Sequence, residues 1–105
     1  MPRASKKERS NDLYEHIARI QSVEECIRFF EDICAVTELR AMEQRFDVAK
    51  MLHDGKVYTT ILNETGASSA TVSRVNRVLN YGTGALAEIM DRVAQETGEA
   101  VPEET

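Results

Sequence analysis

Between residues 68 and 77, small and basic side chains recur in one short stretch: Ser68, Ser69, Ala70, Thr71, Ser73, Arg74 and Arg77. Together these residue types suit one kind of chemistry. Hydroxyls and the free amides of a helix N-terminus hydrogen-bond to phosphate, and short side chains let the helix end approach base edges. Arginine further along reaches phosphate or the acceptor edge of guanine. Such a surface fits a nucleic-acid duplex, and Lys56 adds a cation just upstream. No comparable set exists for catalysis or metal binding. His16 and His53 are far apart and in no metal-ligand spacing. Phosphate-loop and dinucleotide glycine patterns are absent. The pairs Glu24-Glu25 and Glu31-Asp32 are adjacent rather than facing, as on solvated helix faces. The residues therefore indicate a protein that is not an enzyme, with no cofactor and no metal site.

A helix that turns those residues outward must bury another side, and Val72, Val75 and Leu79 recur at intervals of three and four to do so. Upstream, Val57, Ile61 and Leu62 mark a shorter helix. Thr65-Gly66-Ala67-Ser68 between them is too short for anything but a tight turn. The spacing predicts a helix-turn-helix over 57–80, with helices at 57–65 and 68–80. Gly66 permits the positive φ of the turn, Ala67 allows close approach, and Ile61 and Val72 are placed to meet beneath it. A plain antiparallel helix pair used as scaffold has the same periodicity.

The rest of the chain frames this motif. Its 105 residues are 42% hydrophobic and 30% charged, with a net charge of −5, which excludes a multidomain enzyme and a uniformly basic nucleic-acid binder. Acidity is unevenly spread: residues 56–81 hold Lys56, Arg74 and Arg77 against Glu64 alone. The only prolines are Pro2 and Pro102, so a mostly helical module is expected. Leu13, Ile17 and Ile20 predict a helix over 12–20. Ser22 and Glu25 form a capping-box pattern that opens a helix over 22–35. Thr37 is placed to cap a helix over 37–53 that stops near Asp54-Gly55, and Thr83 a last one over 84–95. Residues 11–95 are thus expected to form a single all-helical domain, between a flexible basic arm at 1–10 and an acidic frayed tail at 96–105.

The second and third helices carry wide apolar faces, from Val23, Ile27, Phe30 and Ile33 to Met42, Phe46 and Met51. A chain this small gains by burying such faces across a two-fold axis, although the last helix could also cover them. Cys26 and Cys34 stand about 12 Å apart along one helix, too far for a disulfide. With no long apolar run or signal-peptide core, a reduced, cytoplasmic chain without membrane contact is expected.

The run Thr37–Met90 resembles the Trp repressor superfamily, and more closely its Trp-repressor-like YerC/YecD branch. The helix Glu38–Leu52 and the stretch from Glu64 to Gly82 carry the likeness. It implies an all-α fold and an intertwined homodimer, each subunit presenting a recognition helix to one half-site of a palindromic DNA operator. It places Ser69, Ala70 and Ser73 toward bases and Thr71 toward phosphate. Thr59 and Leu62 fall where the family has basic residues, which leaves Lys56 as the nearest substitute. Arg45 and Arg74 match the two arginines that sandwich the tryptophan corepressor. The following residue, glycine in the Trp repressor, is Val75 here, and its branched side chain obstructs that slot. No tryptophan corepressor is therefore expected, and no other small effector is indicated. The competing reading is a helical protein–protein interaction module that does not bind DNA.

Overall fold

The structure is a computed structural model that describes residues 9–98. The arm expected at 1–10 and the tail expected at 96–105 fall mostly outside the described residues. Six α-helices follow in order: α1 (Asn11–Ile17), α2 (Val23–Ile33), α3 (Val36–His53), α4 (Tyr58–Thr65), α5 (Ser69–Tyr81) and α6 (Ala85–Thr97). Among the described residues there is no strand, so the fold class is all-α. The chain divides into two compact units, one ending at Leu39 and one beginning at Arg40.

In the N-terminal unit, local side chains set the helix ends. Ser10 Oγ accepts from Leu13 N to cap α1. α1 stops at Ile17 rather than continuing to residue 20, because Arg19 N and Ile20 N bond three residues back, to His16 O and Ile17 O. Ser22 Oγ accepts from Glu25 N at 3.0 Å, as a capping box requires. Glu25 Oε1 reaches back to Gln21 N at 2.8 Å, one residue earlier than the usual partner. Cys34 is extended, ending α2 at Ile33. α3 then begins at Val36, so Thr37 lies inside its first turn instead of capping it. Glu38 takes that part by accepting from Ala35 N at 2.7 Å. No residue of α1 or α2 is buried. Phe29 and Phe30 meet edge to face, while Val23, Ile27 and Ile33 remain more than half exposed.

The C-terminal unit contains the buried core. Val48 and Ala49 of α3, Ile61 of α4, Ala67 of the turn, and Val72 and Val75 of α5 form one cluster. Met51, Leu52, Leu62, Leu79, Leu86 and Met90 pack around it. Val48, Ile61 and Val72 are fully buried, so three helices converge on one point. Gly55 takes a positive φ just after α3. α6 reaches Thr97, two residues beyond the expected end, before Gly98 closes it in the left-handed conformation. His53 Nε2 of α3 and Asp91 Oδ1 of α6 lie 2.8 Å apart, tying the two helices.

Candidate nucleic-acid interface

α4 and α5 pack against each other across a three-residue turn. Gly66 ends α4 with φ 72° and ψ 6°, and its N–H donates to Leu62 O. Only glycine takes that conformation without steric cost. Thr65 stitches the turn together: its hydroxyl donates to Ile61 O at 2.7 Å and accepts from Ala67 N at 3.1 Å. Ala67, 6% exposed, lies within the core, and the next residue starts α5. Ser68 Oγ accepts from Thr71 N at 3.1 Å as the N-cap, and its hydroxyl also donates to Thr71 Oγ1 at 3.1 Å. The Ser68 and Thr71 hydroxyls are therefore already engaged with each other at the helix start, and Thr71 is half-buried.

At roughly 100° per residue, Val72, Val75 and Leu79 centre on one side of α5, and Ser69, Ala70, Ser73, Arg74 and Arg77 centre on the other. Burial follows this division. Val72 and Val75 are buried and Leu79 is half-buried, whereas the five others are exposed. From Ser69 to Arg77 this outward side runs about 12 Å along the axis. Asn80 and Tyr81 continue it, with Tyr81 85% exposed. Neither Arg74 nor Arg77 forms an ion pair among the described residues, so both guanidiniums point their donors at solvent. No acidic residue occupies the first turn of α4 or α5, whereas α1, α2, α3 and α6 each have at least one. The positive ends of these two helices are thus left uncompensated.

The remaining expected residues fall as follows. Lys56 is exposed in the link between α3 and α4. Thr59 is exposed on α4 and Leu62 packs on the core. Arg45 is exposed on α3. Val75 is 6% exposed and part of the core, so its branched side chain occupies packed space beneath α5. Among the described residues, no group of three or more His, Cys, Asp or Glu is arranged to hold a metal ion. No helix there is long and apolar enough to cross a membrane.

Sequence reasoning missed two contacts between helices. Gln44 Nε2 of α3 donates to the Thr65 carbonyl at 3.2 Å, and His53 pairs with Asp91. Their partners lie 21 and 38 residues away, and no local spacing signals such contacts.

Comparison with known proteins bears on the fold. YerC of Bacillus subtilis (strain 168), an uncharacterized protein, is 46% identical over 85 residues, which span 81% of this chain and 82% of YerC. A crystal structure of a Trp repressor candidate from Staphylococcus aureus is 44% identical with a TM-score of 0.76, covering 79% of this chain and 83% of its own. A TrpR-like protein from Eubacterium eligens ATCC 27750 is 42% identical with a TM-score of 0.77, covering 80% and 87%. A profile of the Trp repressor protein family matches residues 8–94, nearly the whole described chain, and the chain belongs to that family.

Proposed function

We propose that this chain is a dimeric helix-turn-helix regulator that binds duplex DNA sequence-specifically, with α5 in the major groove. One observation carries the reading: α5 buries Val72 and Val75 while holding Ser69, Ala70, Ser73, Arg74 and Arg77 exposed on the opposite side. Short side chains at the leading end reach base edges, and Arg74, Arg77 and Lys56 supply the phosphate or guanine contacts. Ser68 and Thr71 shape the helix start and offer their oxygens only secondarily. Self-association is supported by the N-terminal unit. It buries nothing of its own in α1 or α2, and Val23 and Val36 are 78% and 68% exposed. Two copies that close over these side chains present two α5 helices to a palindromic operator, half-sites about one turn apart. The place of work is the cytoplasm. Val75 in the core supports DNA binding without tryptophan.

Selection of bound sequences from a random duplex pool, followed by affinity measurement across salt, tests this. The expected result is a two-fold-symmetric site and affinity that falls steeply with salt. Arg74→Ala with Arg77→Ala is expected to weaken binding at least tenfold and to flatten the salt dependence, and added tryptophan to change neither. Absence of duplex binding at low salt, with the head engaged in a protein complex instead, would favour the interaction-module reading.

A further inference from the structure

The geometry points to Gln44 as the positioning residue that fixes the α4–α5 turn on α3, and thereby aims the outward side of α5; its consequence for DNA rests on the function proposed above. Thr65 is the last residue of α4, and carbonyls at a helix C-terminus lack helical partners. Its carbonyl accepts from Gln44 Nε2 at 3.2 Å in a part-buried setting. There, losing the donor leaves the acceptor without its hydrogen bond. The same Thr65 holds Ala67 N with its hydroxyl, and Ser68 caps α5 one residue later. A continuous series of hydrogen bonds therefore runs from α3 through the turn to the first turn of α5. Gln44 lies one helical turn before Val48, itself fully buried in the core, so the amide is anchored on the rigid side of α3. The packed core sets how closely α5 approaches α3, and a directional polar contact adds a further restraint at the turn. A hydrogen bond to one carbonyl supplies that restraint.

The test uses the full chain and Gln44→Met, which keeps the volume and removes the donor. Affinities for the selected duplex and a random duplex are measured at one salt concentration, with amide hydrogen exchange followed in the free protein. The expected result is an affinity for the selected duplex about three- to tenfold weaker, with random-duplex affinity and salt slope unchanged. Exchange at Ala67 accelerates while α6 amides stay as in the parent. General destabilisation would instead lower both affinities together and speed exchange throughout, and that outcome overturns the inference. So does a parental ratio of the two affinities or parental exchange at Ala67. Should Gln44→Met fail to fold, Gln44→Glu, which sets an acceptor against the carbonyl, carries the same comparison. If the parent binds no duplex, the function proposed above fails, and exchange at Ala67 alone decides whether the strut holds the turn.

Discussion

Gly66 and Gly82 bound the recognition segment, and different physics requires each. At Gly66 an added Cβ would meet nothing within 4 Å, but φ is +72°. The cost of Gly66→Ala is therefore conformational, about 1 kcal/mol, or a loss of several degrees in Tm. At Gly82 the backbone is ordinary, with φ −84°, but a Cβ would lie 2.5 Å from Val78 O. That neighbour is backbone within α5 and cannot swing aside. Gly82→Ala is expected to lower Tm more than Gly66→Ala and to unwind the last turn of α5, as read by thermal denaturation and amide exchange at Val78–Tyr81. The first requirement was legible in sequence, because Gly66 stands between two apolar periodicities with no room for a longer loop. The second was legible only as a break, since the clash depends on coordinates.

For the helices, periodicity and punctuation carried most of the information. Spacing alone places Ile61 and Val72 beneath the turn, and both are fully buried. Ile61→Ala leaves a void where three helices converge, and is expected to cost about 2–5 kcal/mol in denaturant unfolding. An exposed α5 change such as Ser73→Ala is expected to stay within about 0.5 kcal/mol in the same measurement. Helix ends were less legible, because competing hydrogen bonds decide them. Glu38 rather than Thr37 satisfies the start of α3, and bonds to residues three back end α1 early. The Gln44–Thr65 and His53–Asp91 contacts left no trace in the linear pattern. Each joins polar residues on different helices, and a polar residue on a helix looks the same whether it meets water or a partner.

At the scale of the whole molecule, charge is unevenly distributed along the chain. A net charge of −5 coexists with the stretch 56–81, whose three basic residues outnumber its single glutamate. On the function proposed above, acidity elsewhere repels DNA and favours approach by the outward side of α5. In the N-terminal unit, α1 and α2 leave apolar side chains such as Val23, Ile27 and Ile33 exposed. Sedimentation is expected to give twice the 11.8 kDa chain mass, and Ile27→Glu with Ile33→Glu to shift it toward a single chain. DNA affinity is expected to fall with that shift, although α5 is untouched, because two heads bound to one duplex gain from effective concentration. The bare first turn of α5 has a consequence for durability. Ser69→Glu would offset the helix dipole and is expected to raise Tm modestly, by at most about 1 kcal/mol of stability. The same change would set a carboxylate against phosphate and abolish duplex binding. On the function proposed above, stability and duplex binding therefore place opposite demands on this position.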